Sequence, residues 1–199
     1  MKKMMFNDRY GLTQAVISGR KTVTRRIVKD DWWPIYKIEA EEIKGDIIHV
    51  IANNGKLVIE HKCPYKIGEI VAVAQRYQDI FDYSNCVNPY AWEDDDKPSG
   101  WTNKMFTKAD LMPHRIQITD LRIERLQDIS EEDCMKEGIY RDYADTEFPP
   151  REFYDYDGNN GNGFNTPRAA FASLINKVSG RGTWDRNPFV WRIEFELVK

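Results

Sequence analysis

Eight consecutive residues, Gly19-Arg20-Lys21-Thr22-Val23-Thr24-Arg25-Arg26, gather four cations and two hydroxyls directly behind a helical pattern. An amine such as Lys21 can act as a general base or form a Schiff base, and the Thr24 hydroxyl can be a nucleophile or a phosphate ligand. The planar forks of Arg25 and Arg26 suit an anion. The plainer alternative is a solvated basic strand, because runs of charge usually mark exposed faces. Spacing alone leaves both readings open.

The elements around this run decide where it sits. Asn7 or Asp8 can cap a helix in which Leu12, Ala15 and Val16 recur at helical spacing, and Gly19 suits the left-handed position that ends it. Lys21 to Ile27 then reads as a strand rich in β-branched residues. The basic run therefore lies at a helix-to-strand junction, a place that often lines a cleft. In an ideal strand Lys21 and Thr24 point to opposite faces, so a shared site requires the chain to turn or bulge between them.

A carboxylate in an unfavourable place supplies a second candidate. Ser130 as N-cap, Asp133 at N3, a staple between Ile129 and Cys134, and Gly138 as the stop predict a short helix. Glu131, Glu132 and Asp133 occupy the end where the helix dipole favours acids. Glu137 falls in the last turn, where a carboxylate is disfavoured by roughly a few tenths of a kcal/mol. Either Glu137 is solvated or a cation faces it.

The rest of the chain is mostly strand. Runs flanking Asn53-Asn54-Gly55 read as a β-hairpin after a Trp32-Trp33-Pro34 corner, and Ile67 to Val73 reads as a turn entering a buried strand that ends at Gln75, Arg76 and Tyr77. Residues 78–112, with the acidic run Glu93-Asp94-Asp95-Asp96, read as a long loop holding one helical turn near Lys108 to Leu111. Between His114 and Leu126 the apolar phase switches from Ile116 and Ile118 to Leu121 and Ile123, which predicts a bulge near Thr119-Asp120. Residues 141–165 have the composition of a mobile excursion, with a lid as the alternative. Thr166 and Pro167 open a helix with Ala170, Phe171, Leu174, Ile175 and Val178 on one face. From Phe189 to Leu197 the alternation predicts a strand with one buried face, and Trp184, Phe189 and Trp191 are expected in the core.

These elements define a single α+β domain over residues 1–199, a curved antiparallel sheet or barrel flanked by about three short helices and carrying two loop insertions. A net charge of -3 excludes a generally cationic nucleic-acid-coating protein but permits a local basic cleft. The cysteines Cys63, Cys86 and Cys134 are dispersed and odd in number, which points away from a disulfide framework and toward a reducing cytoplasm. His49, His61 and His114 have no ligand spacing, so no metal or other cofactor is expected. No apolar run approaches a membrane span and no signal-peptide core follows Met1, so no membrane partner is expected.

The run Gly19 to Arg26 resembles the hallmark of the ASCH family, whose members share a PUA-like β-barrel and are generally proposed to bind RNA. Pro64 to Tyr77, Met112 to Gly138 and Trp184 to Val198 are similar to the longer, phage-associated branch, so the resemblance covers roughly half of the chain. It implies a PUA-like antiparallel barrel with RNA or a modified nucleoside as partner. One short bacterial member hydrolyses N4-acetylcytidine with a Lys, a Thr and a Glu, and the matching positions here are Lys21, Thr24 and Glu137. On that reading Lys21 is the cation facing Glu137, and Arg20, Arg25, Arg26, Gln75 and Tyr77 contact the nucleoside or nucleic acid. Ala74-Gln75 stands where the phage-associated branch usually shows Arg-Glu, which removes a carboxylate from the pocket floor. The Lys21 ammonium is expected within direct or one-water reach of both the Thr24 hydroxyl and the Glu137 carboxylate. The alternative from another functional class is a phage-type accessory protein that binds other proteins through its acidic loops.

Overall fold

In the computed structural model, which describes residues 1–28, 38–44, 47–52, 57–84, 99–144, 150–158 and 163–198, the chain opens with a two-residue strand, β1 (Lys3–Met4). The helix expected after Asn7 is cut in two. Asn7 caps a 3-10 turn over Asp8–Tyr10 by accepting from the Arg9 amide, and Gly11 at φ 63 breaks it before α1 (Leu12–Ile17) begins. Gly11 supplies a left-handed conformation that a side chain would disfavour. Next come β2 (Val23–Ile27) and a three-stranded antiparallel meander of β3 (Ile38–Lys44), β4 (Ile47–Ala52) and β5 (Leu57–Lys62). β4 and β5 pair on either side of the Asn53-Asn54-Gly55 turn, which itself lies outside the described residues, as do Trp32-Trp33-Pro34 and the acidic run at 93–96.

β6 (Ile70–Val73) leads into α2 (Tyr77–Ser84), a helix within the stretch expected to be loop. Asp79 starts it by accepting from the Arg76 amide at 3.0 Å and from the Arg76 guanidinium at 2.7 and 2.9 Å. The expected turn near Lys108 is a 3-10 turn over Ala109–Leu111. β7 (Arg115–Arg125) follows, then α3 (Glu131–Lys136), capped as expected by the Ser130 hydroxyl, which accepts from the Asp133 amide at 3.1 Å.

Residues 141–165 also gain structure. β8 (Tyr140–Ala144) and β9 (Arg151–Asp155) form an antiparallel hairpin. Beyond it Tyr156, 3% exposed, packs edge-on to Tyr10 at 5.9 Å and shares a hydrogen bond with Ser173. Composition hid this anchor because, among the described residues of the stretch, only Phe153, Asp155 and Tyr156 are buried among polar neighbours.

α4 (Pro167–Ser179) buries Ala170, Phe171, Leu174 and Ile175, while Val178, expected on that face, is exposed. Each large apolar side chain buried there contributes about 1.5–3 kcal/mol. α5 (Thr183–Arg186) and β10 (Phe189–Val198) complete the chain. The first half of β10 is buried on both faces, Val190 and Arg192 included, because α3 covers the side expected to be solvated.

The main sheet has the order β1-β6-β7-β10-β2, antiparallel except where β1 runs parallel to β6. Glu194 pairs with Asp120 and Phe195 with Ile118, leaving Thr119 as the extra residue of the expected bulge. The architecture of the described residues is thus mixed α and β, a five-stranded sheet accompanied by five α-helices and two smaller sheets. Among the described residues β1 and β2 remain the sheet's edges and no closed barrel forms. A side chain spans the gap: the Arg26 guanidinium on β2 donates to the Met5 carbonyl just beyond β1.

Candidate functional site

The chain leaves α1 through Gly19 at φ 76 and does not enter β2 until Val23, so Lys21 lies on irregular backbone. Its amide donates to the Ala15 carbonyl at 2.8 Å, and the next amide, of Thr22, donates to Lys136 at 2.9 Å. These two bonds tie the junction to the C-terminal ends of both α1 and α3. Gly138, at φ 104, closes α3 directly against Leu12, Ala15 and Lys21.

Lys21 and Glu137 meet there. The ammonium is 2% exposed and donates to the Val23 carbonyl at 2.8 Å, to the Glu137 carbonyl at 2.8 Å, and in a short contact to Glu137 Oε2. An ammonium has three donors, and all three are used. Burial lowers the Lys21 pKa, Glu137 opposes that shift, and Arg26 and Arg25 add to it. The unfavourable dipole position of Glu137 is therefore offset by two cations, since Arg25 Nη1 also donates to its Oε1 at 3.1 Å.

Arg25 and Arg192 face each other directly across β2 and β10, a juxtaposition that repels. Asp133 resolves it by accepting from Arg25 Nη2 at 2.6 Å and from Arg192 Nε and Nη2 at 2.7 and 3.1 Å. Its bonds to Arg192, ahead of those to Arg25, hold the Asp133 carboxyl far below its ordinary range. Arg25 Nε completes its set on Glu124 at 2.7 Å. Although burial works against the Arg25 charge, Glu137, Glu124 and Asp133 raise its pKa. The network of Lys21, Arg25 and Arg192 with Glu124, Asp133 and Glu137 thus pins α3 onto the sheet.

Lys21, Thr24, Arg25, Arg26 and Glu137 all line one cleft of about 540 Å³, within the range of small-ligand sites. Met5, Phe6 and Asn7 wall it on the β1 side, Tyr65 and α4 elsewhere, and exposed Val178 and Ser179 mark its rim. The Thr24 side chain, 5% exposed, has no hydrogen-bond partner for its hydroxyl among the described residues. Direct contact with Lys21 was one expectation; the structure brings both to the same cleft without that bond.

The other expected contacts are dispersed. Arg20 donates to the Gly138 carbonyl and lies 5.0 Å from the centre of the Tyr140 ring, outside the cleft lining. Gln75, buried, accepts at its Oε1 from His114 Nδ1 at 2.9 Å and lines a second hollow of about 450 Å³ with Asp8, Thr13, Arg76 and Asp79. It does not form the floor of the Lys21 cleft. Tyr77 is buried against Ala72 and Met112, and its hydroxyl accepts from the Lys108 amide. Phe189 and Trp191 are core and Trp184 packs against it, as expected.

Sequence reasoning missed Glu124, Asp133 and Arg192. Arg192 sits in the polar phase of an alternating strand, which reads as solvent-facing; its only signal was three acids, Asp120, Glu124 and Asp133, on neighbouring elements. Among the described residues no group of three or more His, Cys, Asp or Glu could hold a metal, and no helix is long and apolar enough to cross a membrane.

Fold and site together define a mixed α and β protein with a half-open cleft beside the β1 and β2 edges of its main sheet, floored by a buried ion network. Comparison of the chain with protein-family models, curated proteins and solved structures finds no match in any of the three.

Proposed function

We propose that the chain is an ASCH-type protein, its sheet a PUA-like barrel left open between β1 and β2, whose cleft takes an N4-acylated cytidine, free or within RNA, and hydrolyses the amide. The observation that carries this reading is the presence of Lys21, Thr24 and Glu137 in the lining of one cleft, with Lys21 and Glu137 in direct contact.

The ion pair distributes the protons. Thr24 Oγ1, or a water it orients, attacks the acyl carbonyl carbon and its proton passes to Glu137. Lys21, made more acidic by burial, gives a proton to N4 as the C–N bond breaks, and the Glu137 proton then restores the ammonium. Where Thr24 is the nucleophile, water releases the acyl group from its ester. The products are cytidine and a carboxylic acid.

The saturated Lys21 ammonium favours one other reading, a non-catalytic reader of a modified nucleoside in which the Lys21–Glu137 pair only fastens helix to strand. The two separate on Thr24→Ala. The hydrolase reading expects cytidine release, followed by chromatography, to fall by about 100-fold or more, in line with the contribution of positioned proton-transfer groups, while binding of N4-acetylcytidine persists. Binding by the wild-type protein without any cytidine release selects the reader.

A further inference from the structure

We infer that the ligand of the Lys21 cleft carries a phosphate, held by Arg26 with Lys3 beside it, so that the substrate is a phosphorylated nucleoside rather than the bare nucleoside. This rests on the cleft being the nucleoside site proposed above.

The inference starts from unequal compensation of charge. Of the cations lining the cleft, Lys21 and Arg25 are matched by carboxylates. Arg26 has no carboxylate partner among the described residues. Its Nη2 donates to the Met5 carbonyl, and its guanidinium lies 5.7 Å from the centre of the Phe6 ring. Its Nε is sealed from water without an acceptor, the one such side-chain atom among the described residues. A buried donor left without an acceptor is costly, more so on a charged group, so a structure that keeps one points to an absent acceptor.

Lys3 adds a second cation without a carboxylate, although its three donors are already met. Its ammonium is held at 3.0, 2.6 and 2.8 Å by the carbonyls of Lys104, Met105 and Thr107, with no carboxylate among the described residues. Burial lowers the pKa of both Arg26 and Lys3. The cleft therefore holds uncompensated positive charge beside the ion pair, and an entering phosphate would supply what the protein withholds. Arg26 can offer it a planar fork, and Phe6 and Tyr65 supply apolar wall for a base or sugar.

A 5′-mononucleotide and a phosphodiester within RNA share this chemistry. The test is calorimetric titration of the full chain, at about 50 mM salt, with cytidine, cytidine 5′-monophosphate, inorganic phosphate and a short single-stranded oligoribonucleotide. Cytidine 5′-monophosphate should bind at least about tenfold tighter than cytidine, as one charge-assisted contact gives. That advantage should disappear in Arg26→Met and partly return in Arg26→Lys. Tighter binding of the oligonucleotide with a steeper salt dependence assigns the phosphate to RNA; preference for the mononucleotide assigns it to a free nucleotide. Equal affinity for cytidine and its monophosphate overturns the inference, whether or not either Arg26 variant folds. The hydrolase reading fails separately: N4-acetylcytidine cleaved no faster when 5′-phosphorylated sinks the phosphate site alone, whereas phosphate discrimination without cleavage sinks the hydrolase alone.

Discussion

Replacing Glu137 by Gln tests the ion network because it removes one charge and almost no volume. Deleting one partner of a buried ion pair costs about 3–5 kcal/mol, chiefly because the other charge stays buried. Arg25 is cushioned, since it keeps Glu124 and Asp133. The loss therefore falls on Lys21, left with the Val23 and Glu137 carbonyls. Lys21 has an outlet in shedding its proton. Burial already lowers its pKa below the ordinary 10.5 against the pull of Glu137, and the variant removes that pull. In the window between the folded value and 10.5 the unfolded chain binds more protons, so stability rises with pH there, more steeply and from a lower pH in the variant. Urea unfolding followed by tryptophan fluorescence should give a loss of about 3 kcal/mol or more at pH 7 and a clearly smaller one near pH 10. A loss under about 1 kcal/mol, the size of a surface pair, or one that does not change with pH, refutes the reasoning.

Three further outcomes are expected. Ser130→Ala should lower stability by about 1 kcal/mol through loss of the α3 cap, measured by the same unfolding curves, with the loss shared by cleft binding because Glu137 is the C-cap of α3. Cys134, fully buried with its thiol pushed up to about 12 by burial, should resist thiol reagents in the native chain and react on unfolding; rapid native labelling speaks against its place on the buried face of α3. Acid should weaken the fold as pH falls below about 4, the ordinary carboxylate range, because Asp133 is held far below its usual value and its contribution is lost as it protonates. An Asp133→Asn chain should show a flatter pH profile in that region.

Signals that depend on near neighbours were legible in the sequence. The Ser130 cap, the Gly138 stop, the Thr166-Pro167 helix start and the bulge at Thr119 need only local chemistry or strand phase, and the structure has each of them. Glu137 was also legible, because a carboxylate at the wrong end of a helix asks for a cation. What stayed hidden depends on contacts distant in sequence. Arg192 reads as solvated until α3 is folded over β10, and the Asp133 bridge exists only because β2 and β10 pair in one register. The β8–β9 hairpin escaped notice because its polar composition outweighs the few residues, Phe153 and Tyr156 among them, that fasten it. Gln75 was assigned to the wrong hollow for a similar reason, since strand order gives no sign of which side of the Asn7–Thr13 segment its side chain meets.

The central claim concerns which atom is attacked, and isotope-labelled water reads it directly. Wild-type protein incubated with N4-acetylcytidine in H₂¹⁸O should release unlabelled cytidine together with acetate carrying ¹⁸O, since water oxygen ends on the acyl carbon by either route through Thr24. Mass spectrometry that finds ¹⁸O in uridine with acetamide as co-product, or no release above the protein-free rate, contradicts the account.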